Sequence, residues 1–341
     1  MAKKELFRND YFFSDKGEMV CLTEAAPGKY GTYPKDRPIR EYIEKGVVVI
    51  NKPSGPTSHE VAAFVRDILE ANVAGHSGSL DPVVTGTQPV MIGKATRAVA
   101  ALRLSGKEYI CLMKLHRGVP KKRIESVLSE FVGGVYQMPP VRSAVKRAVR
   151  VRQIYYIEPL EITDTLVLMK VGCEAGTYIR KLCHDIGMAL GVGAHMQELI
   201  RSKAGPFTDS EWVSLWELKD AYFDWKESGD ESELRRVILP MESAFSHLPK
   251  IVVRDTAVDA LCSGAFLARA GIVSYETSLQ KGEMAAVFSQ KGEIISLSVA
   301  LMSPDEIQNS KNGFVAKPKA VLMEKGTYPS CWKHKNPADE S

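Results

Sequence analysis

At 341 residues the chain exceeds one ordinary domain, and two domains are the expectation. Its apolar share of 45% suits a globular protein, and no apolar run approaches the length that spans a bilayer. A net charge of +4 is compatible with nucleic acid without demanding it. Six cysteines with no Cys-x-x-Cys pair argue against a disulfide framework or a zinc site and for reduced thiols in a cytoplasm-like compartment.

The opening Met-Ala-Lys-Lys-Glu-Leu-Phe-Arg-Asn-Asp is charged and lacks the apolar middle of a secretory signal. Residues 1–40 are polar and broken by Pro27, Gly28, Gly31, Pro34 and Pro38, so they read as an extended arm rather than a packed element. The run 46–51 is a short buried strand that ends in Lys52-Pro53-Ser54-Gly55-Pro56, a turn. Thr57 and Glu60 form a capping box, and Val61, Phe64, Val65, Ile68 and Leu69 fall at helical spacing over 58–70. Next comes His76-Ser77-Gly78-Ser79-Leu80-Asp81-Pro82-Val83-Val84-Thr85-Gly86, an imidazole and a carboxylate five residues apart on a loop shaped by Gly and Pro. Alone it favours an ordinary Asx turn over a site on a rigid support.

Residues 94–104 read as helix and 107–115 as a strand with Tyr109, Cys111, Met113 and Leu115 on one face. A strand Tyr is commonly a core aromatic with its hydroxyl at the edge. Pro120 opens a helix carrying Ile124, Val127, Leu128 and Phe131, stopped by Gly133-Gly134. Arg142, Lys146, Arg147, Arg150 and Arg152 crowd one segment ahead of Tyr155 and Tyr156. Such a cluster is either a solvated face or a phosphate track beside stacking aromatics. Strands over 149–162 and 164–173 precede a helix over 177–190. Arg180, in its first turn, opposes the helix dipole, which predicts a carboxylate or phosphate partner. The stretch from about 212 to 247 is helical and charged, and Pro249 begins a β-rich unit over 248–325. The fold class is α+β on a mainly antiparallel sheet.

Taken in order, Lys-Pro-x-Gly (52–55), His-x-Gly-x-Leu-Asp-Pro (76–82), Lys-x-Tyr (107–109), Gly-Thr-Tyr-Ile-Arg (176–180) and Gly-x-Gly-Ala-His (191–195) resemble the pseudouridine synthases that include dyskerin and the bacterial T-loop tRNA enzyme. The segment Pro-Pro-x-Arg-Ser-Ala-Val-Lys-Arg (139–147) looks like the guide-dependent, archaeal branch, and 249–325 is similar to an RNA-binding PUA domain through Gly264-Ala265-x-Leu267 and Gly271-Ile272. The resemblance implies an N-terminal arm over 1–36 packing on the PUA domain, a catalytic domain over 37–247, the PUA domain over 248–325 and a loose tail over 326–341. It implies a pseudouridine synthase fold with a small β-barrel domain appended.

By the same resemblance Asp81 is the essential carboxylate, Arg180 pairs with it, and Tyr109 stacks on the target base and assists late proton removal. Lys52, His76, Tyr178 and Leu199 line the substrate pocket. Isomerising uridine breaks N1–C1′ and joins C5 to C1′, so no cofactor and no metal is expected. The implied substrate is rRNA, with tRNA a second. Implied partners are a box H/ACA guide RNA and small zinc-ribbon-like, β-barrel and kink-turn-binding proteins, in the cytoplasm. Alternatives are a stand-alone tRNA enzyme and a non-catalytic RNA-binding scaffold. Four positions depart from the guide-dependent pattern: Val83 replaces Lys, Thr87-Gln88 replace Val-Leu, and Ala270 stands where Pro is common.

Overall fold

The computed structural model describes residues 17–139 and 148–330. Arg142, Lys146 and Arg147 lie outside the described residues. The described chain divides into two compact units, one within residues 46–239 and one joining residues 17–45 to 240–330. Among the described residues no helix is long and apolar enough to cross a membrane.

The 46–239 unit is built on one sheet whose strands run in the order Gly46–Lys52, Thr85–Ile92, Ala194–Ala204, Lys107–Leu115, Leu166–Cys173, Arg150–Ile162, Gly133–Gln137. The short strand Ala74–His76 pairs with Thr85–Ile92. Every pairing is antiparallel except that between Thr85–Ile92 and Ala194–Ala204. Val47, Val48, Val49 and Ile50 are buried, as a continuous apolar run demands. The Lys107–Leu115 strand buries Cys111, Met113 and Leu115 against Ile179, Leu182 and Ile186 of the Ile179–Ala189 helix. The predicted capping box is present, with Thr57 accepting from the Glu60 amide and Glu60 accepting from the Thr57 amide. It starts a helix over Ser58–Ile68.

Two expectations need correction. Gly133 and Gly134 do not stop the preceding helix; it ends at Glu130, and the glycines open a strand. Within residues 1–40, expected as an extended arm, the described part carries a strand, Met19–Cys21, and the start of a helix, Ile39–Glu44. The Ala194–Ala204 strand, central to the sheet, has no counterpart among the expected elements, because His195, Gln197, Glu198, Arg201, Ser202 and Lys203 interrupt any apolar run or alternation.

In the other unit Met19–Cys21 forms one edge of a sheet in the order Met19–Cys21, Ile272–Glu276, Lys250–Val253, Met284–Ser289, Ile294–Ala300, Phe314–Val321, Leu267–Ala268. Its core gathers Ile251, Val258, Leu261, Tyr275, Val287 and Ile295. The chain before Gly46 is tied down by polar contacts: Arg37 pairs with Glu242 at 2.7 Å, and Lys291 donates to the Gly31 carbonyl at 3.0 Å. Gly31 has φ +69°, and a Cβ there would strike the Tyr328 hydroxyl and Glu293, so glycine is required.

Candidate active site

Cross-strand register sets the floor of the site. Lys52 lies opposite Gly86, Gly86 beside Arg201, Arg201 opposite Tyr109, and Tyr109 opposite Val171, in one row across five neighbouring strands. The register slips between Glu108 and Tyr109, where Glu108 faces Lys203 and Tyr109 faces Arg201, leaving Ser202 unopposed in a bulge. Bulges re-aim side chains, and this one puts Arg201 in the Tyr109 row. Ser202 anchors it by donating to Glu108 at 2.7 Å and accepting from the Thr87 hydroxyl at 2.9 Å. Gly86, with φ +103°, admits the close pass: a Cβ would sit 2.3 Å from the Arg201 carbonyl oxygen.

Above this floor runs the loop that carries Asp81. Its backbone is held from below by charged side chains. The Lys52 ammonium is fully buried and gives its three protons to the carbonyls of Pro53, Pro82 and Val84, each at 2.9 Å. Burial, with the Arg201 cation nearby, lowers its pKa. Lys52 therefore braces the loop and offers no proton to a substrate, a correction to its expected place in the pocket lining. Arg201, 2% exposed, donates to Thr87 O at 2.7 Å and to Gly78 O at 3.3 Å. Ser58 accepts from the Leu80 amide at 2.8 Å, and Gly55 donates to Pro82 O at 3.0 Å. Lys107 lies alongside, within 4.0 Å of where a Gly78 Cβ would be, and donates to the carbonyls of Leu102, Arg103 and Ser105. Its burial, again beside Arg201, pulls its pKa down to about 7.

The rim of the site differs. Asp81 points to solvent and pairs with Arg180, their side chains 53% and 55% exposed. The carboxylate partner that the helix-dipole conflict at Arg180 predicts is Asp81, ninety-nine residues away in sequence. Arg180 is aimed by its helix start. Gln137, 2% exposed, accepts from the Tyr178 amide at 2.9 Å and donates to the Tyr178 carbonyl at 3.1 Å. That amide-to-backbone pair fixes the residue at which the Ile179–Ala189 helix begins. Tyr109 and Tyr178 are both half-buried. The Tyr109 hydroxyl lies against the Arg201 guanidinium, and burial raises the phenol pKa while Arg201 opposes the rise. Leu199 pairs with Cys111, two residues along the strand from Tyr109. His76 is half-buried, packs edge to face on His59 at 4.7 Å, and has its pKa lowered to about 4 by burial and the nearby His59 and Arg201. It is neutral near pH 7.

Of the basic segment, Arg150 and Arg152 are described, and they line a small pocket with Gln137, Pro139, Gly176 and Tyr178. Arg152 pairs with Glu174 at 3.2 Å. Tyr156 is no stacking platform: its ring covers Gly172 and its hydroxyl donates to Glu108. Arg201 and Gln137 are the site residues that sequence reasoning missed, and Lys107 was quoted only as part of a motif; no local pattern marked any of the three, since cross-strand register brings them to the site. Among the described residues no three His, Cys, Asp or Glu side chains converge as a metal site.

The arrangement suits chemistry by one exposed carboxylate held still, with an arginine to orient it and an aromatic wall below. Comparison with known proteins agrees in kind. The model for the TruB family pseudouridylate synthase N-terminal domain matches residues 66–122, that for the tRNA pseudouridylate synthase B C-terminal domain matches 180–246, the PUA domain matches 249–322, and the DKCLD (NUC011) domain matches 12–62. A probable tRNA pseudouridine synthase B of Methanosarcina acetivorans is 65% identical over 90% of each chain. A crystal structure of a Cbf5-Nop10-Gar1 complex contains a chain 46% identical, with TM-score 0.86, covering 93% of this chain and 97% of that one. A structure of an H/ACA RNP bound to a substrate RNA containing 2′-deoxyuridine contains one 43% identical, also with TM-score 0.86, covering 94% and 99%.

Proposed function

The chain belongs to the TruB family of pseudouridine synthases, and from that membership we propose that it is the catalytic subunit of a box H/ACA guide ribonucleoprotein. It is an RNA pseudouridine synthase, an isomerase that needs only to break one glycosidic bond, turn the base and form a C–C bond. Its substrate is rRNA, with tRNA a second, and it works in the cytoplasm with a guide RNA and accessory proteins like those named in the Cbf5-Nop10-Gar1 and H/ACA structures. The 248–325 domain, with the residues before 37, holds the guide.

Asp81 acts at the ribose C1′ side of the scissile bond. Arg180, in contact with the carboxylate, orients it. Tyr109 walls the freed uracil and takes the C5 proton at the end. His76, Tyr178 and Leu199 line the pocket, and Arg150 and Arg152 with Arg142, Lys146 and Arg147 meet RNA phosphates. The target base must leave its stack to reach Asp81, which favours unpaired or opened RNA. The observation that carries the reading is the solvent-open Asp81–Arg180 pair on a loop whose backbone is pinned at Gly78, Leu80, Pro82, Val84 and Thr87.

The second reading, a stand-alone tRNA enzyme, draws on the name carried by the Methanosarcina relative. Tritium release from RNA labelled at uracil C5 separates the two. Release only with guide and accessory proteins supports the particle; release from bare tRNA supports the stand-alone enzyme. Asp81→Asn is expected to abolish release while RNA affinity stays near wild type, and retained turnover in that variant would remove Asp81 from the mechanism.

A further inference from the structure

Arg201 carries a charge that bracing alone does not explain. Its guanidinium is 2% exposed, and the groups it meets are the Thr87 and Gly78 carbonyls and the Tyr109 phenol, none of them a carboxylate. Burying a cation among neutral groups is costly, and a neutral amide would brace two carbonyls without that cost. The third contact is where the charge has a use.

In the last step of the isomerisation the C5–H bond breaks, its electrons restore the C5–C6 double bond, the C6–N1 π pair returns to N1, which takes a proton from solvent, and the C5 proton passes to the Tyr109 oxygen. To accept it, Tyr109 must first give its own proton to solvent. Burial of the phenol works against the anion, and the guanidinium alongside works for it. We infer that Arg201 is the positioning residue for Tyr109: it fixes the phenol oxygen beneath the reacting base, stabilises its anion during the late proton transfer, and ties it to both ends of the Asp81 loop. The Ser202 bulge is what delivers the guanidinium to this position. The inference rests on the reading of Tyr109 as the late proton acceptor.

The test is single-turnover isomerisation of RNA bearing protium or deuterium at C5 of the target uridine, in the particle assembled with guide RNA. Arg201→Gln is expected to slow turnover by roughly 10²-fold, the scale of a lost acid–base contribution, and to bring out a primary isotope effect, with RNA affinity unchanged. Arg201→Lys, which keeps a buried cation and guards against a Gln variant that fails to fold, recovers part of the rate. Tyr109→Phe shows the same isotope effect, and adding Arg201→Lys to it causes no further loss. A slow Arg201→Lys enzyme without an isotope effect, or losses that multiply in the double variant, overturns the inference while leaving Tyr109 in its role. Absence of an isotope effect in Tyr109→Phe itself removes the reading of Tyr109, and the inference with it.

Discussion

The rim and the floor of the site are both made of charged side chains, and they are used in opposite ways. Asp81 and Arg180 are more than half exposed and face each other. Lys52, Lys107 and Arg201 are buried and face backbone carbonyls. An exposed pair contributes on the order of 0–1 kcal/mol to stability, so stability does not account for the rim's geometry. The floor is mostly construction: its lysines satisfy backbone carbonyls that irregular chain cannot satisfy in itself. Arg201 braces carbonyls too, and it alone of the three also meets a side chain of the pocket, the Tyr109 phenol.

Lys52→Met tests that division most severely. It leaves three carbonyls without their donor, at roughly 1–3 kcal/mol each, so urea unfolding is expected to show a loss of about 3 kcal/mol or more, and turnover falls with the loop. Arg180→Met should cost no more than about 0.5 kcal/mol while losing turnover. Equal stability losses in the two variants would erase the distinction. Gln137→Leu probes the joint between the layers. It frees the Tyr178 backbone and with it the aim of Arg180, and the expected result is a turnover roughly tenfold lower, about 1.4 kcal/mol of transition-state stabilisation, with RNA affinity intact. Unchanged turnover would mean that the helix start holds itself.

A further effect is read by pH. The folded pKa of Lys107 lies near 7, below the 10.5 of an unfolded lysine. Between those values the unfolded chain binds the proton and the folded chain does not, so stability rises with pH through that window and is flat below it. The thermal midpoint should climb from pH 7 to pH 9, and Lys107→Met should flatten the climb. An identical slope in the variant would assign the pH dependence elsewhere.

Much of the rim was legible in the chain. The family resemblance singled out Asp81 on a loop whose own pattern favoured an ordinary turn, the strand pattern placed Tyr109 without giving it a role, and the dipole conflict at Arg180 asked for the carboxylate it found. The floor was not legible, because its signals cross the sheet rather than run along the sequence. Nothing local says that Arg201 shares a row with Tyr109, since the register and the Ser202 bulge decide it. Lys52 misled for a similar reason: at a strand end a lysine normally reaches water, and here the loop closes over it. The Thr87-Gln88 departure also turns out to be built in. Thr87 accepts from the Trp212 indole at 2.8 Å, and Gln88 donates to Ser58 O at 2.9 Å, although its own Oε1 is buried without a partner.

The pinning of the Asp81 loop through carbonyl oxygens has a consequence for how such a sequence drifts over generations. A carbonyl is supplied by every amino acid, proline included. The contacts that locate the backbone at Gly78, Pro82, Val84 and Thr87 therefore ask little of the side chains at those positions. Val83, 70% exposed between two of the anchors, is a position where mutation alters what the passing RNA meets without moving the acid beside it. The reaction centre is inherited through its supports, and the loop's outer face is left open to selection for different RNA surroundings.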